Sequence, residues 1–276
     1  MMAGMTGFVA PRQHRLPEPA SPTCPAGAPI RGDAFPERVL PGLSIVLSCF
    51  NEEASVAEAI VGAAAAAARV SEDYEILVVD DGSTDGTAAA ATSFANASGR
   101  VRLLMHLENR GYGAALRTGI EAARMPWVLL TDVDLEFDPR ELEDFVRLSG
   151  SADVIVGYRV LRRDPLGRRL NGAAWTWLMG RMFRLPVRDV DCAFKLIRRD
   201  VLQQVTLTSD GALISAELLV KSRAAGARIR EHGVRDRPRA GGEWSGARLR
   251  AGALRELAAQ QRSLRRLARP ASTVPR

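Results

Sequence analysis

Residues 127–136 read WVLLTDVDLE, an apolar run followed by acids at alternate positions. The run at 127–131 predicts a strand buried on both faces, as in parallel sheets. In such sheets, ligands bind beyond the carboxyl ends of the strands. Asp132, Asp134 and Glu136 follow this strand directly, so they begin a candidate site.

Asp132 and Asp134 stand at positions i and i+2 after the strand. If the chain turns there, both carboxylates can reach one divalent cation. Oxygen ligands of this kind suit Mg²⁺ or Mn²⁺, which can also take phosphate oxygens. A solvated turn without a ligand would explain two spaced acids as well, but their place at the end of a buried strand favours the metal.

Strands and helices alternate through the first half of the domain. Apolar and β-branched runs predict strands at 43–47, 74–79, 102–105 and 127–131, and the stretches between them predict helices at 55–70, from Gly86 and from Gly113. Ser55 and Glu58 form a plausible capping box for the first of these helices. This alternation predicts an α/β fold with a mostly parallel sheet flanked by helices.

The second half is less regular. It predicts strands at 153–158 and 193–197 and helices at 172–183, 215–225 and 247–269. Asp138, Pro139 and Glu141 resemble the cap and first turn of a further helix.

Two more polar segments follow predicted strands. Residues 80–87 read DDGSTDGT, and residues 48–53 read SCFNEE. An acid at a strand end can accept hydrogen bonds from a ribose or a base. Capping of the next helix by Thr84 or Asp85 accounts for part of the first segment, but it does not account for the paired acids at its start.

The ends of the chain differ from its middle in composition. Residues 1–42 hold eight of the 15 prolines and show no sustained periodicity, which predicts a disordered tail. We expect an α/β domain at 43–245 and a basic amphipathic C-terminal helix within 246–276. The sequence shows no apolar run of the roughly 18 residues that a membrane span needs and no secretory signal pattern. The three cysteines lack metal-ligand or disulfide-framework spacing, so we expect a cytoplasmic protein.

The net charge of +6 is unevenly placed. Residues 159–188 and residues 246–276 each hold eight arginines against one acid. Such segments suit an anionic membrane surface or a phosphorylated substrate, and no recognisable nucleic-acid-binding module accompanies them. Trp175, Trp177 and Phe183 lie in the first segment, where they belong either to a membrane interface or to the core. We expect no nucleic acid partner, and peripheral contact with the inner membrane face or with a membrane partner.

Four motifs occur in a fixed order: CFNEE at 49–53, DDGSTDGT at 80–87, NRGYGA at 109–114 and DVDLEFDP at 132–139. Together they resemble the inverting family 2 glycosyltransferases, which have the GT-A fold, a Rossmann-like α/β architecture. GYR at 157–159 and DCAFKLIRR at 191–199 are similar to the dolichyl- or polyprenyl-phosphate mannose and glucose synthases of that family. The resemblance covers residues 43–245. It implies transfer of a sugar from a nucleotide-sugar donor, GDP-mannose or UDP-glucose, to a polyprenyl phosphate.

The resemblance also assigns roles to residues. It implies that the donor site comprises Ser48, Phe50, Glu52, Val79, Asp81, Asp132, Val133, Asp134 and Glu136. Asp132, Asp134 and Glu136 would bind the metal and the diphosphate. Arg159 would contact a phosphate and Arg237 would close over the site, and these two arginines with Asp134 are the implied catalytic residues.

This chain departs from the family pattern at two places. Glu136 stands where the family often has glutamine, which adds negative charge to the metal site. Residues 244–246 read WSG where a late lysine after a Gly-x-Ser element is expected, so the phosphate clamp would differ. Arg239 or Arg248 would then assist it.

The sequence leaves the identity of the acceptor, and with it the class of function, open. A lipid phosphate with a second pKa of about 6 is largely ionised at neutral pH and needs no strong general base. A hydroxyl acceptor on a soluble molecule would need one, and Glu217 or Asp191 is the candidate. A non-catalytic nucleotide-sugar-binding subunit would be expected to lose the metal acids, which are present. A nicotinamide-dependent dehydrogenase is disfavoured because its glycine motif does not follow the first strand.

Overall fold

A seven-stranded sheet forms the centre of the protein. The computed structural model describes residues 39–134, 138–160, 166–235 and 246–267. The strands in this part of the chain are β1 (Leu43–Cys49), β2 (Tyr74–Asp80), β3 (Val101–Met105), β4 (Trp127–Asp132), β5 (Val154–Arg159), β6 (Lys195–Arg198) and β7 (Ile229–Val234). Their order is β3-β2-β1-β4-β6-β5-β7. Only β6 runs against the others, since it pairs antiparallel with both β4 and β5.

Helices cover both faces of this sheet. They are α1 (Val56–Val70), α2 (Thr87–Ala97), α3 (Tyr112–Ala122), α4 (Leu142–Leu148), α5 (Leu166–Phe183), α6 (Arg199–Gln203), α7 (Ile214–Ala224) and α8 (Gly246–Leu267), with a short 3-10 turn at Pro139–Glu141. Buried residues of α1, α2 and α4 form one core with the sheet, and those of α3, α5, α7 and α8 form a second core on the opposite face.

Alternation along the strands divides their side chains between the two cores. Ile45 and Leu47 of β1 pack with the α1 side, whereas Val46 packs with the α3 side. All three are almost completely buried. Successive strand residues point to opposite faces, so a strand covered on both sides must be apolar throughout, which is why these strands read as continuous apolar runs.

The C-terminal helix α8 belongs to the second core. Leu257 and Leu264 are buried in it, and the helix lies against α7 and α5. Glu256 accepts hydrogen bonds from the backbone N–H groups of Asp210 (3.0 Å) and Gly211 (2.8 Å). Leu257 and Leu264 therefore face the protein, whereas Leu254, Leu267 and the arginines Arg255, Arg262, Arg265 and Arg266 are exposed.

The predicted α/β fold with a mostly parallel sheet is confirmed, and most elements lie within a few residues of their predicted positions. Helix α5 begins six residues earlier than predicted, and β7 and α6 were missed. Strand β7 reads IREHGV, which is half-exposed and too polar to resemble a buried strand.

Details at the start of the domain also differ from expectation. The capping box was wrong: Ser55 makes no side-chain cap on α1, and its hydroxyl donates instead to Glu52, at 2.9 Å. Leu40, inside the segment predicted as tail, is buried and pairs with Ser71. Residues 1–38 and 268–276 lie outside the described residues, as do the tail and helix predictions that fall on them.

None of the helices in the described ranges is long and apolar enough to cross a membrane.

Asp153, just before β5, ties three strands together. Its carboxylate accepts the backbone N–H of Arg228 at 2.9 Å and two bonds from the Arg228 guanidinium at 3.0 Å, and Arg198 lies at 3.4 Å. These hydrogen bonds lower the pKa of Asp153 from 3.8 to about 2. Arg228 precedes β7 and Arg198 ends β6, so the ionised carboxylate stabilises the edge of the sheet.

Replacing Asp153 with asparagine should lower stability in a pH-dependent way. A carboxylate whose pKa is depressed on folding stabilises the protein above its unfolded pKa of about 3.9, and this stabilisation is lost as the pH falls through its folded pKa. The difference in unfolding free energy between the wild type and D153N should therefore be full at pH 6 and should disappear between about pH 5 and pH 2. Urea denaturation across that range measures it, and a difference independent of pH would contradict this account.

Candidate active site

The register of three parallel strands sets the position of the candidate site. β1 pairs with β2 and with β4, so Cys49 lies beside Asp80, and Ser48 lies beside Asp132. The Ser48 hydroxyl donates a hydrogen bond to Asp132 Oδ1 at 2.8 Å. The polar ends of these strands therefore meet at one edge of the sheet, as predicted from the sequence.

An acidic cluster lies at this edge. The Tyr112 hydroxyl, at the start of α3, hydrogen-bonds to Asp132, and Asp134 and Asp191 are close enough to act on the same hydroxyl. Burial, followed by the charges of these three carboxylates, raises the pKa of Tyr112 well above its ordinary value. Tyr112 is therefore a neutral donor that orients Asp132.

Lys195 places a buried amine next to these acids. It is the first residue of β6, is 2% exposed, and donates to the backbone carbonyl of Cys192. Burial lowers its pKa, and the neighbouring Asp191, Asp189 and Asp132 oppose that shift. Because β6 is antiparallel, its first residue lies at the same sheet edge as the last residue of β4.

The donor set at this edge fits Mg²⁺ or Mn²⁺. In the described residues, no three histidine, cysteine or acidic side chains converge as a complete metal-ligand set. Mg²⁺, however, is often held by one or two carboxylates and completes its shell with waters and substrate phosphates. Asp132 and Asp134 provide two carboxylates of that kind, both acting on one tyrosine hydroxyl.

The loops after β1 and β2 are joined by hydrogen bonds. Asn51, which has a positive φ of 54°, donates its backbone N–H to the Ser83 hydroxyl at 2.9 Å and accepts from the backbone N–H of Thr84 at 2.9 Å. The backbone N–H of Glu52 donates to the Thr87 hydroxyl at 2.8 Å. The motifs at 49–53 and 80–87, predicted to lie at the same sheet edge, therefore form one continuous surface, which we call the wall of the candidate site.

The predicted nucleotide-contacting residues differ in what they can offer. Phe50 is 44% exposed and Glu52 is half-buried, so both present side chains at the surface of this wall. The side chains of Val79 and Val133 are buried in the two cores. A ligand contact from these valines would come from their backbone.

Asp81 faces inward and organises the start of α3. Its carboxylate accepts the backbone N–H groups of Arg110 and Gly111, both at 2.9 Å, and lies 2.6 Å from His106 Nδ1. The other ring nitrogen of His106 lies 2.9 Å from the Thr118 hydroxyl. Asp81 therefore holds the loop that leads to Tyr112, and its contact with a ribose or base stays a prediction.

Arg159, at the carboxyl end of β5, is paired within the protein. Its guanidinium donates to both oxygens of Asp189, at 2.8 and 3.3 Å. Both side chains are almost fully buried. β5 runs in the same direction as β4, so this pair lies at the sheet edge that carries the acidic cluster.

Glu217 supports a loop in this structure. Its carboxylate accepts backbone N–H groups from Thr208 (2.9 Å) and Ser209 (2.8 Å), the Thr208 hydroxyl and the Lys221 ammonium. Burial raises its pKa, but these hydrogen bonds outweigh that effect and lower it.

The loop that Glu217 holds packs against the start of α3. The backbone N–H of Gly113 donates to the Asp210 carbonyl at 2.7 Å. A Cβ at Gly113 would lie 2.4 Å from the Ser209 carbonyl oxygen, so only glycine permits this approach.

Some predicted site residues lie outside the described residues. These are Glu136, Arg237 and Arg239. The side chain of Arg248 is also outside the description.

Sequence reasoning did not assign roles to Tyr112, His106 or Asp189. Tyr112 lies in the NRGYGA motif at 109–114, and its place in that motif could have indicated a role in the site. His106 and Asp189 act through partners 25 and 30 residues away, for which the sequence shows no local pattern.

The sheet and its carboxylate-lined edge define a protein of the GT-A fold. The structure superposes on glucosyl-3-phosphoglycerate synthase of Mycobacterium tuberculosis, crystallised with Mn²⁺ and UDP-glucose, with a TM-score of 0.62 and 20% identity over 86% of this chain and 81% of that one. At this identity the likeness shows the fold alone.

The sequence match then gives the family. The model of glycosyl transferase family 2 matches residues 44–206, and the chain belongs to that family, as the motifs predicted.

Three relatives extend the match. The chain is 33% identical over 186 residues to a dodecaprenyl-phosphate galacturonate synthase of Rhizobium johnstonii, covering 66% of this chain and 55% of the relative. It is 32% identical over 210 residues to an uncharacterised glycosyltransferase of Mycobacterium tuberculosis, covering 73% and 88%. It is 31% identical over 164 residues to an undecaprenyl-phosphate 4-deoxy-4-formamido-L-arabinose transferase of Pseudomonas aeruginosa, covering 58% and 48%. The chain thus spans about half the length of the first and third relatives.

Replacing Asp81 with asparagine should destabilise the protein. The amide would place an NH2 group where one carboxylate oxygen now accepts, facing the backbone N–H of Gly111 or that of Arg110, and such a buried mismatch costs about 2 kcal/mol. We expect the free energy of unfolding to fall by that amount in urea denaturation. The exposed Asp73→Asn should change it by less than about 0.5 kcal/mol. Wild-type stability in D81N would mean that this carboxylate does not hold the α3 loop.

Proposed function

We propose that this protein transfers a sugar, with inversion, from a nucleotide-sugar donor to a polyprenyl phosphate, and that the reaction depends on Mg²⁺ or Mn²⁺. The observation that carries the proposal is the pair Asp132, which ends β4 and is oriented by the hydroxyls of Ser48 and Tyr112, and Asp134, which lies close to the same tyrosine. Family membership and two relatives named for polyprenyl-phosphate substrates support the same reaction.

The acceptor part of the proposal is supported by the engagement of one of the two candidate bases. Glu217, a candidate base for a hydroxyl acceptor, already accepts four hydrogen bonds and supports a loop. Asp191 lies within the acidic cluster. A phosphate monoester is largely ionised at neutral pH and attacks without a strong base. This favours a lipid phosphate over a soluble hydroxyl compound.

The donor would lie across the joined β1 and β2 loops. In this arrangement Phe50 and Glu52 offer exposed or half-buried side chains to the base and ribose. Val79 and Val133 would contribute backbone groups. The diphosphate would lie at Asp132 and Asp134 through the cation.

The metal would neutralise the charge that develops on the departing nucleoside diphosphate. A protein of the same fold is crystallised with Mn²⁺ and UDP-glucose, which is consistent with such a site. Tyr112 and Ser48 keep Asp132 in a fixed orientation, so little reorganisation is needed during the reaction.

Two arginines are proposed to contact phosphate. Arg159 is fixed at the active edge by its pairing with Asp189, and Arg237 would close over the donor. The proposed location is the cytoplasm, with peripheral contact at the inner membrane face where a polyprenyl phosphate would be reached.

Replacing Asp134 with alanine should abolish transfer while leaving the fold intact. Loss of a carboxylate from the proposed metal and diphosphate site should lower kcat by roughly 10³-fold or more. Radiolabelled sugar transfer and circular dichroism measure the two effects. The exposed Asp200→Ala, in the first turn of α6, serves as the matched control and should retain activity. Normal turnover in D134A would reject the metal assignment.

A donor and acceptor screen tests the reaction itself. GDP-mannose, UDP-glucose and other nucleotide sugars are offered with a short-chain polyprenyl phosphate or with the matching polyprenol, with Mg²⁺, with Mn²⁺ or with EDTA. We expect transfer only to the phosphate and only with metal, because the phosphate is already ionised.

Transfer to hydroxyl compounds but not to polyprenyl phosphate would contradict the proposal in favour of a soluble acceptor. Tight donor binding without turnover on any acceptor would identify a non-catalytic subunit instead.

A further inference from the structure

Helix α5 has apolar side chains on two opposite sides. Trp175, Met179 and Phe183 are buried in the second core. Leu170 and Trp177 are 61% and 69% exposed. The sequence left open whether Trp175, Trp177 and Phe183 belong to the core or to a membrane interface. Trp175 and Phe183 lie in the core, and Trp177 faces outward.

The exposed residues of α5 share one face. Positions 170, 174, 177 and 181 follow helical spacing, so Leu170, Ala174, Trp177 and Arg181 lie along one stripe. All four are exposed, and the exposed Arg169 lies at the margin of this stripe, about 100° around the helix from Leu170. The helix reads LGRRLNGAAWTWLMGRMF and contains no acid. We call Arg169, Leu170, Ala174, Trp177 and Arg181 the outer face of α5.

This face is attached close to the candidate active site. Arg159 ends the strand before α5, and Asp189 follows the helix. Their buried ion pair closes the segment between them at the sheet edge that carries Asp132 and Asp134. Both ends of the segment that carries the outer face are therefore held at the edge at which transfer is proposed.

We infer that the outer face of α5 rests on the surface of an anionic lipid bilayer. The inference rests on the proposed function, since it supplies the surface from which a polyprenyl phosphate would be taken. Trp177 and Leu170 would enter the headgroup region, because an indole ring combines an apolar body with a polar N–H that remains hydrated there. Arg169 and Arg181 would meet anionic headgroups.

Charge is the reason for choosing a bilayer over a protein partner. The outer face presents cations around its apolar centre and contains no acid of its own. Arg184, directly after the helix, is exposed as well. An anionic headgroup layer complements this pattern without a specific shape. Helix α8 also carries exposed arginines and the exposed Leu254 and Leu267, so the test below includes α8 as a comparison.

The test uses the full chain and sedimentation with vesicles of phosphatidylcholine, alone or mixed equally with phosphatidylglycerol. We expect binding to the mixed vesicles that weakens with salt. Trp177→Ala should reduce the partition coefficient on the order of tenfold, and the double variant R169Q/R181Q should reduce it by roughly 25-fold, about fivefold for each charge.

Matched control variants remove an exposed apolar side chain or two exposed charges from other helices. Val61→Ala removes an exposed apolar side chain of α1, and R265Q/R266Q removes two exposed charges from α8. Both should bind vesicles within about twofold of the wild type. Undiminished binding of the α5 variants, or loss confined to the α8 variant, would overturn the inference.

Sugar transfer separates this inference from the proposed function. In detergent with a short-chain polyprenyl phosphate, the α5 variants should act at the wild-type rate, and with long-chain acceptor in vesicles they should lose activity in proportion to binding. Wild-type protein that binds vesicles through α5 but transfers no sugar in detergent would refute the proposed function and still support the docking surface.

Discussion

The register of β1 between β2 and β4 is the constraint on which the site depends. A shift of one residue would turn every side chain of β1 to the other face of the sheet. Ser48 would then leave Asp132, and Ile45 and Leu47 would leave the core they share with α1. Burial on both faces stabilises one register, and that register assembles the polar edge. Packing and chemistry are therefore fixed by the same strand pairing.

Much of the fold could be predicted because the strands around this register are apolar on both faces, and that signal is local. The errors occurred where local signals competed with tertiary contacts. Ser55 has the sequence of a helix cap, but its hydroxyl donates to Glu52 in the preceding loop. β7 was missed because an outer, half-exposed strand tolerates Arg230, Glu231 and His232, which hide its pattern.

The acids of the candidate site could be predicted from the sequence, whereas the contacts that position side chains around it could be predicted less well. Asp132 and Asp134 follow a buried strand and can be found from the sequence. The inward orientation of Asp81 depends on His106 and on backbone groups of a loop that no short pattern connects to it. Likewise, Glu217 has the residue type of a general base, and only its four donors show that it supports a loop.

The hydrogen bonds from Glu256 to the 208–211 loop have a consequence for how the chain assembles during synthesis. That loop presses on Gly113, and Gly113 adjoins the tyrosine that orients Asp132. A chain emerging from the ribosome exposes β1 to β4 long before α8 appears. The sheet can form early, but the loop against α3 lacks one of its acceptors until α8 has emerged, so completion of the candidate site must wait for the synthesis of α8.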